Sequence, residues 1–185
     1  ASLKDMVHAN YKKKDIAGMT ASEQLEKINE RTRELVTLQY NTYNRSLVPL
    51  MHQHGIVVMD AFEDLSESQA AFVDRYFEDN VYPVLTPMAV DASRPFPLIR
   101  NKTLNIAALL SKKKGKAEKE EIEFATVQVP SVLPRLVHIP SEDGNEKTFI
   151  LLEQVIERNI DKLFLNYDVL CAYPYRVMRN ADLSI

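Results

Sequence analysis

Four prolines, at positions 83, 87, 95 and 97, stand within fifteen residues of one apolar segment. Proline fixes φ, lacks a backbone N–H and pushes the residue before it out of the helical region. Segment 83–100 therefore cannot form a helix or an ordinary central strand. Because the segment is also rich in Val, Leu, Phe and Ile, we interpret it as a stiff connector that docks two subdomains in a fixed pose. In this interpretation the ring of Phe96 fills the joint.

The composition predicts a soluble protein with one large or two small domains. The 185 residues are 45% hydrophobic and 26% charged, which suffices for a buried core. The net charge of −3 provides no global basic field for nucleic acid. The single cysteine excludes an internal disulfide and fits a reducing compartment, and no apolar run approaches the ~20 residues of a membrane span. We therefore expect a cytoplasmic protein, and the missing initiator Met indicates a piece of a longer chain.

Residues 1–82 carry helical patterns and are predicted to form the first domain. A capping box at Thr20 and Glu23 begins a helix whose apolar residues recur at helical spacing from Leu25 to Leu50. This helix is expected to run to His54, with Gly55 as its left-handed stop. Pro49 is expected to kink this long helix near its end. A second capping box, at Ser66 and Gln69, begins a helix that ends before Pro83; its inward stripe is predicted to be Phe72, Val73, Tyr76, Phe77 and Val81. A long amphipathic helix requires partners, so we expect an antiparallel helical bundle segment.

Residues 83–185 are strand-rich and are predicted to form the second domain. The segments 103–110 and 123–129 have the pattern of a long β-hairpin, and shorter strands are expected at 136–139 and 147–150. A helix follows over 151–163, with Leu152, Val155, Ile156 and Ile160 facing inward. The last extended segment, 169–178, contains Pro174, which predicts an edge strand or a bulge. The predicted fold class is α+β, with a helical segment followed by a mostly antiparallel sheet and a packed helix.

Residues suited to catalysis or metal binding form no pattern in this sequence. His52 and His54 are two residues apart, which places their rings on different helix faces, and His8 and His138 stand alone. Cys171 has no histidine or basic residue beside it that would activate a thiol. The sequence contains only four glycines, each beside a turn, and no phosphate-cradling loop. We therefore assign no catalytic, cofactor-binding or metal-binding residue.

Two lysine runs are the only segments that suggest a polyanion partner. They are Lys12–Lys14 and the run around Lys112–Lys116, and nearby glutamates offset the second. We interpret both as solvated loops, the second at the tip of the predicted hairpin.

Several blocks, taken together in order and spacing, resemble bacterial polyphosphate kinase of the long-chain, histidine-phosphorylating type. No single block is a common motif, and the series covers essentially the whole chain; the blocks are residues 1–5, 82–91, 95–99, 102–106 and 175–182. The resemblance implies the later part of the family's N-terminal domain and the first part of its middle, or head, domain.

The same resemblance implies a function for the parent protein. The family transfers the terminal phosphate of ATP to polyphosphate with Mg²⁺ through a phosphohistidine, in two C-terminal domains that the blocks do not reach. None of the four histidines matches the family's catalytic motif, so we expect an accessory region that is inactive alone and has no cofactor of its own. The implied partners are the C-terminal catalytic domains, polyphosphate, and further copies of the protein through the head domain.

Two other functions remain open on the residues alone. The long helix could belong to a stand-alone interaction module, which a gene ending near residue 185 would support. The lysine runs could belong to a polyanion- or RNA-binding domain, which steeply salt-dependent binding would support.

Overall fold

A computed structural model of the chain describes residues 2–90, 96–112, 122–141, 144 and 146–179. Its internal contacts form two compact units, of which the first ends at His54 and the second spans Gly55–Arg179. The domain boundary predicted after residue 82 stays a prediction, because contacts within this chain do not test where the domains of a longer protein divide.

The first unit is helical. Its elements are α1 (Ser2–His8), α2 (Ala21–Thr42), a π-helical turn (Tyr43–Leu47) and α3 (Val48–Gln53), and α1 packs against α2.

The ends of the long helical segment follow the local chemistry of the sequence. The Glu23 amide donates to the Thr20 hydroxyl at 3.3 Å, and the Thr20 amide donates to the Glu23 carboxylate at 2.7 Å, which completes the predicted capping box. Gly55 has a φ of +67°, as a left-handed stop requires. Near Pro49 the helix widens into the π-helical turn, because proline supplies no N–H for the carbonyl four residues earlier.

The predicted apolar face of this helix is present but largely uncovered within the described residues. Ala21 is the only buried residue of α2. The large apolar side chains that remain exposed are Ile28, Leu35, Val36, Leu38, Tyr40, Tyr43, Leu47 and Leu50. The helix that the periodicity predicted is therefore present, while the cover that an amphipathic helix requires is not supplied by the part of the chain that the structure describes.

The described residues of the second unit form seven strands in two sheets. The strands are β1 (Ile56–Val58), β2 (Pro87–Val90), β3 (Leu104–Lys112), β4 (Ile122–Gln128), β5 (Leu136–Ile139), β6 (Lys147–Leu151) and β7 (Tyr167–Arg176). One sheet has the order β1-β6-β5 and the other β2-β4-β3-β7. Two helices belong to this unit, α4 (Glu67–Tyr76) and α5 (Leu152–Arg158).

The four-stranded sheet is antiparallel and agrees with the sequence patterns. β3 and β4 pair as a hairpin, with Ala108 opposite Ala125. β7 lies at one edge and has a register shift opposite Leu109 and Leu110, so Pro174 stands in a strand that is both at an edge and bulged. β2 forms the other edge, which is the position that a proline-containing strand can occupy. The α+β class, with a helical segment followed by mostly antiparallel strands and a packed helix, is confirmed.

Three features of this unit differ from the sequence-based expectations. The strands form two sheets, and β1 pairs with β6 in parallel. Segment 83–100 is not free of helix, because a 3₁₀ turn spans Tyr82–Val84, with its proline at a position that does not need an N–H. The helix expected over 151–163 ends at Arg158 and continues as a 3₁₀ turn at Ile160–Leu163.

The core of the second unit lies where α4 and α5 cover the strands. The predicted stripe of α4 and its continuation supplies Val73, Phe77 and Val81, all fully buried, with Phe72 and Tyr76 partly buried. The predicted inward face of α5 is also buried. It packs with Ile106, Ala108 and Leu110 of β3 in one continuous apolar cluster.

The expectation that Phe96 fills a buried joint is wrong. Its side chain is 60% exposed, and its ring stacks on Phe124 of β4 with centroids 5.5 Å apart. A flat ring pinned between two prolines can cover the surface of a sheet without entering the core. Residues 91–95 of the same segment lie outside the described part of the chain.

Truncating Phe77 and Phe96 to alanine should separate a core ring from a surface ring. Phe77→Ala removes a fully buried ring and should lower the free energy of unfolding by roughly 3–5 kcal/mol. Phe96→Ala loses one stacked contact and should cost about 1 kcal/mol. Urea denaturation of both variants measures the difference. Equal losses would contradict this placement of the core.

Candidate functional site

The histidines named from the sequence lie on α1, at the end of α3 and on β5. His52 is in α3 and His54 directly follows it, while His8 ends α1, and all three are exposed. His138 is in β5, where its ring meets Phe149 edge to face at 5.3 Å. Within the described ranges, no group of three or more histidine, cysteine or acidic side chains is placed to hold a metal ion.

The lysine runs and the cysteine lie in different local settings. Lys12–Lys14 are exposed in the loop between α1 and α2, and Lys112 is exposed at the end of β3. The remainder of the second run lies outside the described residues. Cys171 is a free, half-buried thiol in β7.

Ion pairs fasten α5 and its 3₁₀ extension to α4. The guanidinium of Arg158 donates twice to the carboxylate of Asp74, at 2.8 and 3.0 Å, and Asn159 donates to the same carboxylate at 3.1 Å. Burial raises the pKa of Asp74, but the hydrogen bonds from Arg158 and Asn159 outweigh burial and hold this pKa below its usual value. Lys162 adds a contact to Glu78 at 2.6 Å.

A second ion pair ties α5 to the segment before β5. Arg135 donates to both oxygens of Glu153, with the shortest N–O distance at 2.5 Å. Glu153 is 5% exposed, so this pair compensates a carboxylate that would otherwise be buried without a countercharge. Leu152 also donates its backbone N–H to the carbonyl of Arg135 at 2.7 Å.

An acidic groove lies on the opposite side of α5 from its apolar stripe, between this helix and β7. It is a cavity of about 570 Å³ with four acidic residues in its lining, Asp60, Glu63, Glu157 and Asp161. Burial, and then the charges of Glu153 and Glu63, raise the pKa of Glu157 to about 7. The Gln154 amide donates to the carbonyl of Asp60 at 2.6 Å, so two residues of the lining are joined across the groove.

A basic recess lies where β3 begins and β7 ends. It is a cavity of about 450 Å³, and its lining includes Arg100, Lys102, Arg135 and Arg176. No acidic residue is among the described residues of the lining. The acidic groove and the basic recess therefore give one compact unit two cavities of opposite charge.

Backbone pairing brings the residues of the basic recess together. Arg176 lies opposite Leu104 in the β3–β7 ladder. The Lys102 amide donates to the carbonyl of Val177 at 2.8 Å, and the Arg179 amide donates to the Asn101 side chain at 3.1 Å. The turn before β3 is thus held against the end of β7.

Sequence reasoning did not find the basic recess. Its cations come from three separated segments, namely the turn before β3, the segment before β5 and the end of β7. One sequence signal could have indicated the recess. Two of the blocks that carry the family resemblance, 102–106 and 175–182, contain Lys102 and Arg176. Nothing in the local pattern indicates that the two blocks are neighbours.

Comparisons with known proteins agree with the resemblance. The family described as the polyphosphate kinase N-terminal domain matches residues 1–59, and the polyphosphate kinase middle domain matches residues 68–185. A polyphosphate kinase of Lactiplantibacillus plantarum is 49% identical over the whole chain, which covers 25% of that protein. One from Halalkalibacterium halodurans is 46% identical over the whole chain, which covers 26% of it.

A solved structure supports the same relationship. The crystal structure of polyphosphate kinase from Porphyromonas gingivalis matches 88% of this chain, and the match spans 25% of that protein, at 26% identity and a TM-score of 0.71. The chain belongs to the polyphosphate kinase family and spans about a quarter of the length of the curated relatives named here. Among the described residues, no helix is long and apolar enough to cross a membrane.

The raised pKa of Glu157 predicts a pH dependence of stability. The folded protein binds this proton more tightly than the unfolded chain, whose carboxyl has the usual pKa of 4.5. The stabilisation from Glu157 is therefore complete below pH 4.5 and is lost as the pH rises through about 7. Glu157→Gln removes this loss and should be more stable than the wild type by about 1 kcal/mol at pH 8, because solvent screens a half-exposed carboxylate and reduces the effect of the pKa shift. The two proteins should differ little at pH 4.

Urea denaturation of wild type and variant across this pH range measures the effect. Glu146→Gln changes an exposed carboxylate outside the acidic groove and serves as the matched control. A stability difference for Glu157→Gln that stays constant from pH 4 to pH 8 would show that this carboxyl does not titrate as described.

Proposed function

We propose that this chain is an accessory, non-catalytic region of an enzyme that transfers the terminal phosphate of ATP to polyphosphate. The observation that carries the proposal is the match of both the N-terminal and the middle domain of the polyphosphate kinase family, in that order along the chain. The named relatives are about four times as long, so most of such a protein lies beyond these residues.

The chemistry of transfer is assigned to the C-terminal domains of the same protein. A histidine intermediate divides one phosphoryl transfer into two easier steps, and Mg²⁺ with clustered arginines offsets the charge of the phosphates. The described residues do not fit a Mg²⁺ site, since they form no group of three suitable ligands. None of the four histidines lies in a group of three or more possible metal ligands among the described residues. No step of the reaction is therefore assigned to this chain.

The role left to this region is architectural. The ion pairs of α5 with α4, and of Arg135 with Glu153, hold the second unit as one rigid piece. A rigid accessory piece can position catalytic domains, and it can also present a surface to further copies of the protein. We assign the enzyme to the cytoplasm and expect it to form an oligomer through its middle domain.

Purified alone, the chain should make no polyphosphate from ATP and Mg²⁺, because it lacks a phosphorylatable histidine in a suitable setting. The complete protein that contains it, assayed in parallel, is the positive control. Incorporation of the labelled terminal phosphate of ATP into acid-insoluble polymer measures synthesis. Synthesis by the chain above a no-protein control would overturn the accessory role.

A further inference from the structure

We propose that the basic recess is a binding site for a short stretch of a linear phosphate chain. The choice of a phosphate chain as the anion rests on the proposed function, while the cationic character of the recess is independent of it. The site lies in the second unit, and its described lining comes from residues 100–104, 128–135, 152 and 176.

The charges of the recess are not neutralised within the described part of the protein. Among the described residues, no carboxylate forms an ion pair with Arg100, Lys102 or Arg176, and Arg135 is the only cation of the lining that has such a partner, Glu153. Arg100, Lys102 and Arg176 are exposed, and because no described carboxylate pairs with them they leave a local positive field at this cavity that an anion can meet. This concentration of positive charge is unexpected in a chain with a net charge of −3.

The donors of the recess suit phosphate oxygens. Two guanidinium groups, of Arg100 and Arg176, can each present a fork of two parallel N–H donors to a phosphate, and Lys102 adds a compact charge. Ser131 adds a hydroxyl to the lining. Successive phosphates of a linear chain carry a charge at every unit, so cations spaced around one cavity can contact several of them at once.

The backbone that carries these groups is held in place before any ligand arrives. Lys102 has a φ of +64°, in the left-handed region that non-glycine residues rarely occupy. This conformation is held from two sides, by the Lys102–Val177 hydrogen bond and by Thr103, whose hydroxyl donates to the carbonyl of Arg100 at 2.9 Å. A strained residue that its surroundings enforce is typical of a ligand site.

The size and lining of the recess favour a phosphate chain over a nucleic acid. A volume of about 450 Å³ is within the usual range of small-ligand sites. No aromatic side chain is among the described residues of the lining, so nothing there offers a base a stacking platform.

The decisive test is a local one, carried out on the complete protein in the absence of ATP and Mg²⁺. Tripolyphosphate should slow the reaction of the Lys102 amine with an acylating reagent by about tenfold, as measured by mass spectrometry. Lys147, exposed at the start of β6 and outside the recess, is the internal control and should react at an unchanged rate. Because Lys102 reports only on the recess, binding in the catalytic domains does not affect the result.

Variants then assign the binding to individual side chains. Arg100→Gln and Arg176→Gln should each raise the tripolyphosphate concentration needed for half-protection of Lys102 by about tenfold. Arg176→Lys keeps the positive charge but loses the two parallel N–H donors of the guanidinium. Its tripolyphosphate concentration for half-protection should lie between those of the wild type and Arg176→Gln. Arg75→Gln removes the same charge from an exposed position of α4, outside the recess, and should leave the protection of Lys102 unchanged.

Three results would overturn the proposal. They are an unchanged Lys102 reactivity with millimolar tripolyphosphate, equal protection by sulfate at the same concentration, and protection by a short RNA at lower concentrations than by tripolyphosphate. The polymer-synthesis assay of the complete protein is run separately. If tripolyphosphate does not protect Lys102 but the complete protein makes polyphosphate, the binding site is rejected and the proposed function stands. If the complete protein makes no polyphosphate, the proposed function is rejected, and the Lys102 result still reports on anion binding in the recess.

Discussion

The pairing of β3 on both of its edges is the interaction on which the rest of the second unit depends. One edge of β3 is bonded to β4 and the other to β7, and its inward side chains Ile106, Ala108 and Leu110 are buried with residues of α4 and α5. The same strand sets the register that places Arg176 opposite Leu104. Core packing and the assembly of the basic recess are therefore two results of one set of backbone hydrogen bonds.

Local chemistry in the sequence was enough to predict most elements of this fold. The capping boxes at Thr20 and Ser66 begin their helices as expected, because each involves contacts within one turn. Alternation identified the β3–β4 hairpin, and Pro174 identified an edge strand. Pairings between distant segments were not predictable in this way. The parallel pairing of β1 with β6 and the division of the strands into two sheets depend on tertiary packing that no local pattern encodes.

The basic recess also depends on pairings between distant segments, which local sequence patterns do not predict. Arg100, Lys102 and Arg176 are ordinary surface cations when they are considered one at a time, and they become a group only through the register of β7 on β3. Phe96 shows the reverse case. Its setting between two prolines suggested a buried plug, but a stiff backbone fixes where a ring points without deciding whether other side chains cover it. The acidic groove is likewise nonlocal, since Glu63 and Glu157 meet only because α5 packs beside the turn that follows β1.

Both outer strands of the four-stranded sheet contain a proline, Pro87 in β2 and Pro174 in β7. In edge strands the missing N–H of proline faces away from the sheet, so a strand that approached either side would meet a gap in the row of donors. The bulge in β7 further bends that side away from a straight neighbour. The width of this sheet is thereby limited by its own composition, which protects a protein with open sheet edges from indiscriminate strand-to-strand aggregation.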